Sequence, residues 1–257
     1  MDFTAKTVFV AGGTSGINLR IAERFAAAGA NVAVLSRNPD KVDQAVGLLG
    51  PNARGYAADV RDFDAVSSAI AQAAEAFGPI DVLVSGAAGN FPAAAAEMSA
   101  NAFASVIDID VKGTFNVMRG AWAHLRKPGA SVINITAFQS WAPTPLQAHV
   151  CAAKAGVDQL TRTLAIEWGP AGVRVNSIAP GPIAGTEGMR RLAPSADAEE
   201  ATTEAVPLGR WGTRDDIADA ALWLSSPGAS FITGVVLSVD GGLALGGSSA
   251  LRTAIRT

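Results

Sequence analysis

The chain has 257 residues, with 20 Lys and Arg against 23 Asp and Glu and a formal net charge of -3. That length suits one α/β domain large enough to bury its core without cross-links. One cysteine, Cys151, and two histidines, His124 and His149, exclude a disulfide framework and a cysteine-rich metal site, and an acidic balance without a basic run speaks against nucleic acid.

Short β-branched runs alternate with longer helical stretches along the chain. Residues 7–11 read as a buried strand, followed by a glycine-rich turn and a helix over 17–28 that stops at Gly29. A strand over 31–36, a helix over 40–49 and a strand over 54–58 come next. The helix over 62–77 takes Asp62 as its N-cap and Gly78-Pro79 as its stop, and 80–84 is a fourth strand. A long helix over 101–126 leads to a strand over 131–136, and a helix over 146–168 is closed by Gly169-Pro170. A strand over 173–178, a helix over 215–225 and a strand over 235–239 complete the series.

Continuous apolar strands separated by helices predict a parallel sheet covered on both faces. The expected fold is a single doubly wound α/β domain of the Rossmann type spanning 1–257, with seven strands and no linker or internal repeat. The segment 183–207 breaks the pattern, holding Gly185, Gly188, Pro194 and several acids in a stretch too long for a connector. It follows a strand end, where ligands of open α/β sheets sit, and is expected to be a substrate-covering flap.

The longest uncharged stretch, 128–153, carries Asn134, Gln139, Pro143, Pro145 and Gln147, which a membrane span would not tolerate. The first residues show no basic segment followed by an apolar run, and the final Ala-Ile-Arg-Thr is no peroxisomal address. A cytoplasmic protein without a membrane or nucleic-acid partner is expected.

The turn Gly12-Gly-Thr14-Ser15-Gly16-Ile17 lies between the first strand and the first helix. Glycines there let the backbone approach a pyrophosphate, and the helix N-terminus offers N–H donors and a favourable dipole. Ser36-Arg37 ends the second strand with no acid at 35–38 to take a ribose 2′-hydroxyl, whereas Arg37 suits a 2′-phosphate; NADP(H) is expected rather than NAD. Asp59-Val60 ends the third strand, where a carboxylate can accept from an adenine amino group or simply cap a helix.

These residues, with Ser85-Gly86-Ala87-Ala88-Gly89, Lys154 in Ala-Ala-Lys-Ala-Gly, and Pro180-Gly181-Pro182-Ile183, resemble the short-chain dehydrogenase/reductase family over about 6–242. Within it, Ala87-Ala-Gly-Asn-Phe91, the run 108–116 (DIDVKGTFN), Glu167-Trp-Gly-Pro170 and the run 180–191 (PGPIAGTEGMRR) resemble the 2,4-dienoyl-CoA reductases of the peroxisomal type. The resemblance implies an NADPH-dependent reduction of 2,4-dienoyl-CoA to 3-enoyl-CoA in unsaturated fatty acid oxidation. It places cofactor contacts also on Ser85, Gly86, Ala87, Lys154, Pro180, Gly181, Ile183 and Thr186. Asn18 stands where the family has a third glycine, so it either shifts the helix or donates to the pyrophosphate.

The general family pattern uses a Ser, a Tyr and a Lys, the last two four residues apart on one helix face. Lys154 is present, but Val150 occupies the Tyr position and Ala137 the Ser position, and the only tyrosine, Tyr56, lies in the third strand. The resemblance to the peroxisomal-type enzymes, which also lack that Tyr, assigns catalysis to Lys154 and Asp110. His149 is open to two readings, a proton donor or a buried structural histidine. Other enoyl or carbonyl substrates, or a catalytically idle NADP(H)-binding protein, also fit the empty Ser and Tyr positions.

Substrate contacts implied by the resemblance fall on Arg37, Arg61, Phe91, Ser99, Asn101 and Arg191. Arginines suit the phosphates of an acyl-CoA. The apolar residues on several faces of the helices at 101–126 and 146–168 suggest burial beyond one sheet face, and the family resemblance implies a homotetramer built on them.

Overall fold

In the computed structural model, which describes residues 1–248, seven strands run parallel in the order β3-β2-β1-β4-β5-β6-β7. They are β1 (Thr7–Ala11), β2 (Asn31–Ser36), β3 (Ala53–Ala57), β4 (Val82–Ser85), β5 (Ser131–Ile135), β6 (Arg174–Pro180) and β7 (Val236–Val239). The chain builds outward from β1 to β3, then returns to lay β4 on the other side of β1. That reversal opens a crevice at the carboxyl ends of β1 and β4, the place where doubly wound sheets take ligands. The C-terminal tetrapeptide read above lies outside the described residues.

Helices cover both faces. On one side α1 (Gly16–Ala27), α2 (Pro39–Leu49) and α9 (Arg214–Ser225) bury Ile21, Phe25, Ala45, Ile217 and Leu224 against β1, β2, β4 and β5. On the other, α3 (Phe63–Phe77), α5 (Gly113–Ala121) and α6 (Ala148–Trp168) bury Val66, Ile70, Met118 and Leu164 against Phe9, Leu83 and Val132. Each fully buried side chain of this size contributes roughly 1.5–3 kcal/mol. The central strands β1, β2 and β4 are apolar on both faces because neither face meets water, whereas the edge strands β3 and β7 are partly exposed. Asp62 caps α3 as the sequence implies, its carboxylate accepting from Ala65 N at 3.0 Å.

Two expectations are corrected. The helix over 101–126 is interrupted: α4 (Ala100–Ile107) passes into a five-residue π-helical turn, Asp108–Lys112, before α5 begins at Gly113. The wider turn swings Asp110 inward, where it is fully buried, and such insertions recur at functional sites. The helix also stops at Ala121 with a short 3-10 turn, and Leu125 makes a parallel bridge with Ile80, so β4 starts at Val82.

The segment 183–207 is helical rather than a bare loop, forming α7 (Glu187–Leu192) and α8 (Ala196–Ala205). Thr186 and Ser195 cap them, accepting from Met189 N at 3.4 Å and Ala198 N at 3.3 Å. Among the described residues no helix is long and apolar enough to cross a membrane, and no group of His, Cys, Asp or Glu is arranged to hold a metal.

Candidate active site

The crevice at the β1–β4 switch point is lined by Gly12, Thr14, Ser15, Ser36, Arg37, Asp59, Val60, Gly86 and Ala87. Gly12 has φ +78, and a Cβ there would lie 2.8 Å from Ala87 N, so only glycine lets the two turns pack together. Gly16 also has positive φ, +56, but a Cβ would meet nothing within 4 Å: it faces open space in the cleft, leaving the backbone bare toward a ligand. Ser15, the N-cap of α1, makes no side-chain cap bond, so its hydroxyl and the first-turn N–H groups are free for an anion. This arrangement fits a dinucleotide pyrophosphate.

Asn18 lines the crevice and also has a structural contact. Its Nδ2 donates to the Gly86 carbonyl at 2.7 Å, pinning α1 to the end of β4. Ser85 lies under the crevice instead of lining it, buried with its hydroxyl 3.4 Å from Thr114 Oγ1.

Arg37 stands exposed at the crevice mouth beside Ser36, Asn38 and Lys41; among the described residues the nearest carboxylate is Asp59, at 3.9 Å. Lys41, a second cation in the first turn of α2, was not singled out from sequence; its spacing of four from Arg37 was the available signal. Asp59 is engaged more closely by Arg61, through the backbone N–H at 2.9 Å and the guanidinium at 2.7 and 3.0 Å. These hydrogen bonds from Arg61 outweigh burial and hold the Asp59 carboxyl below the usual range. Asp59 and Arg61 are therefore each other's first partners at this edge.

A second cleft, of about 500 Å³, continues from the crevice along the ends of β5 and β6. Gly16, Ile17, Pro180, Gly181, Ile183 and Thr186 line it, and Lys154 reaches it from α6. Lys154 is nearly buried, its Nζ 3.0 Å from Asp110 Oδ2 and donating to the Ile135 carbonyl at 3.3 Å. Asp110 Oδ1 accepts from Gly89 N at 2.7 Å, while Oδ2 has the charge contact with Lys154 but no aligned hydrogen bond. Ala137 and Val150 also line this cleft, so the family's hydroxyl positions face the reacting space with methyl groups. Tyr56 is remote, in β3, stacked against Phe9 of β1.

His149 is fully buried, its ring 4.4 Å from that of Phe91, and neither ring nitrogen has an aligned partner. Burial pushes its pKa below the ordinary value, against the upward pull of the Phe91 backbone and the Asp110 charge. The geometry favours the structural reading.

The proposed substrate contacts are not gathered in one place. Phe91 packs on His149, Ser99 caps α4 by accepting from Ala102 N at 3.1 Å, and Asn101 is exposed on the same helix. Neither Ser99 nor Asn101 lines the cleft. Arg191 donates to the Asn90 carbonyl at 2.8 Å and to Glu187 at 3.1 Å, tying α7 to the loop after β4. Arg190 pairs with the same Glu187. Gln139, Met189 and Leu192 complete the cleft wall and are not singled out by the sequence: Gln139 and Leu192 belong to no motif, and Met189 sits in the run 180–191 with no role assigned to it.

A family model described as enoyl-(acyl carrier protein) reductase matches residues 11–244. A rat protein named peroxisomal 2,4-dienoyl-CoA reductase, (3E)-enoyl-CoA-producing, is 46% identical over 242 residues, covering 92% of this chain and 83% of that protein. A Saccharomyces cerevisiae protein with the same enzyme description is 40% identical over 248 residues, covering 94% of this chain and 85% of its own. A crystal structure of a short chain dehydrogenase from Bacillus anthracis strain Ames Ancestor is similar at a TM-score of 0.83 and 37% identity, covering 93% of this chain and 96% of that one.

Proposed function

The chain belongs to the short-chain dehydrogenase/reductase family, and from that premise we propose that it is an NADPH-dependent reductase converting 2,4-dienoyl-CoA to 3-enoyl-CoA. The observation that carries this is the buried Lys154–Asp110 pair facing a cleft where Ala137 and Val150 replace the family's hydroxyl groups. A ketone reductase must protonate an alkoxide and needs an acidic hydroxyl beside it. A dienoyl thioester does not: its carbonyl takes the developing charge as an extended enolate, and the proton goes to the α-carbon. The names of the rat and yeast relatives support the same reading.

NADPH, when bound, supplies a hydride to the far end of the conjugated system. The chain's own part is positioning. Lys154 has donors to spare beyond Asp110 and Ile135, and in this reading it holds the nicotinamide ribose and, with Asp110, a water that delivers the proton. Arg37 and Lys41 would take the 2′-phosphate, and Thr14, Ser15 and the start of α1 the pyrophosphate. The flap, 183–207, would close on substrate, since Thr186, Met189 and Leu192 already form one wall of the cleft. Arg61 and Arg191 remain the proposed acyl-CoA phosphate contacts, released from Asp59 and Glu187 as substrate binds.

We infer a homotetramer from the same helices: Phe103 and Phe115 are 40% and 44% exposed on α4 and α5, and Ile166 is 79% exposed on α6. Sedimentation velocity tests this, a monomer being the contrary result. The relatives are named as peroxisomal, which lends the cytoplasmic expectation no support.

Loss of NADPH absorbance with a medium-chain 2,4-dienoyl-CoA tests the function, with 3-oxoacyl-CoA as comparison. A saturable, protein-dependent rate yielding 3-enoyl-CoA is expected. NADPH binding without oxidation would instead favour an idle cofactor-binding protein, the second reading that Ala137 and Val150 support.

A further inference from the structure

The two ends of the reaction cleft differ. One end shares Asn18, Gly86 and Ala88 with the nucleotide crevice. The other shares Gln139 and Thr144 with a separate cleft of about 520 Å³ that neither the cofactor nor the Lys154–Asp110 pair uses. Helix α6 explains the connection. Val150 and Lys154, four residues apart, face the reaction cleft, whereas Ala148, Cys151 and Ala152 place small side chains along the second one.

Among the described residues, no charged one lines this second cleft. Its walls are alanines, Pro143 and Pro145, with Trp141 and Leu146 at the surface, 45% and 53% exposed. Leu146 carries a further oddity, a left-handed backbone with φ +62, fixed by Ala93 N donating to its carbonyl at 2.9 Å. A leucine adopts that conformation at a cost, and such positions concentrate at ligand clamps. Two large apolar side chains held open to solvent, one of them strained, are unfavourable until something apolar covers them.

We propose that this cleft takes the distal part of the substrate's acyl chain, and that Trp141 and Leu146 set the chain lengths the enzyme prefers. The proposal rests on the dienoyl-CoA reading above. An uncharged trough joined to the reacting space at Gln139 rejects the phosphates of CoA and accepts an alkyl tail. The charged head is left outside the trough, to Arg61 and Arg191, the acyl-CoA phosphate contacts proposed above.

The test is a chain-length series read in two ways: affinity of saturated acyl-CoAs from butanoyl to dodecanoyl by calorimetry, and kcat/KM for the matching dienoyl-CoAs. In the wild type, affinity rises up to about fourfold for each methylene the cleft buries, then levels off. Trp141→Ala and Leu146→Gly flatten that rise for long chains and leave hexadienoyl-CoA turnover unchanged. Ala152→Phe, which fills the trough, moves the plateau to shorter chains.

A wild-type affinity independent of chain length, or unchanged series in folded Trp141→Ala and Ala152→Phe, overturns the proposal. So does a fall in oligomeric size in Trp141→Ala with the series unchanged, which would make this face a contact between copies. If no dienoyl-CoA of any length is turned over, the functional reading fails, while the affinity series still decides what the cleft holds.

Discussion

The Lys154 ammonium lies 3.0 Å from the Asp110 carboxylate, and both groups are almost wholly withdrawn from water. Asp110 lies in the π-helical turn Asp108–Lys112 that interrupts the helix between β4 and β5. Such a pair is a poor device for stability, because the cost of desolvating two charges offsets their attraction. Its location, against the loop after β4 through Gly89 N and facing a cleft through Lys154, fits a chemical role better.

Removing either partner should therefore separate chemistry from binding. Lys154→Ala and Asp110→Asn are each expected to lower kcat by about 10²–10⁴ fold, the range for loss of proton transfer. Asp110→Asn should leave NADPH affinity within about tenfold, whereas Lys154→Ala also weakens it modestly through the lost ribose contact. Stopped-flow NADPH binding beside steady-state turnover checks this, and near-normal kcat in either variant would remove the pair from the mechanism.

Cofactor choice depends on a different edge. Arg37 stands at the crevice mouth with only a distant contact to Asp59, so its guanidinium is available to a 2′-phosphate. Arg37→Ala should weaken NADPH roughly 10–100 fold, the value of a hydrogen bond to a charged group, and leave NADH nearly unaffected. Lys41→Ala should act in the same direction. Equal losses for both cofactors would show that neither side chain reads the phosphate.

How much of this was legible follows from the kind of signal each feature carries. The strands and the Gly12–Gly16 turn announce themselves locally, through apolar runs and glycines at a strand–helix junction, and they stand within about two residues of where the sequence puts them. The π turn does not. Its residues, Asp108–Lys112, have ordinary helical composition, and the buried neighbours beside it, Val106, Val150 and Ala153, come from α4 and α6, far apart in sequence. The same limit hid the role of Asn18: its bond to the Gly86 carbonyl joins residues 68 positions apart, and no local pattern predicts it. Arg61 was read as a substrate contact from sequence; its fork on Asp59, two residues away, emerged only in three dimensions.

His149 gives a prediction about pH. Burial depresses its pKa below the ordinary 6.5, so the folded protein holds it neutral while an unfolded chain takes up a proton near that value. Its contribution is complete above pH 6.5 and is lost as pH falls from there through the lower folded value. Urea titrations at several pH values should show wild type losing more stability on that descent than His149→Asn. Turnover of the variant should stay within about tenfold, since a true general acid would cost at least 10². A loss of that size would restore the proton-donor reading.

Asp81 provides the acid-side counterpart, at the opposite end of the sheet from the cleft. It is nearly buried at the start of β4 and accepts from Thr7 N at 3.0 Å, Lys6 Nζ at 3.1 Å and Arg126 Nε at 2.5 Å, so one carboxylate ties β1, β4 and the segment before β5 together. Burial alone would raise its pKa, but the bonds from Arg126, Thr7 and Lys6 outweigh it and the net displacement is downward. A carboxyl with a depressed folded pKa contributes stability in full above its unfolded value, near 4, and loses it as pH falls through the folded value. Asp81→Asn should then cost about 1–3 kcal/mol at neutral pH, the range for charged hydrogen bonds left unmade. The gap between variant and wild type should stay constant down to about pH 5 and narrow below pH 4. Because Asp81 lies far from Lys154, kcat at neutral pH should be unchanged; a constant gap at all pH values would mean that the carboxylate charge adds nothing to the clamp.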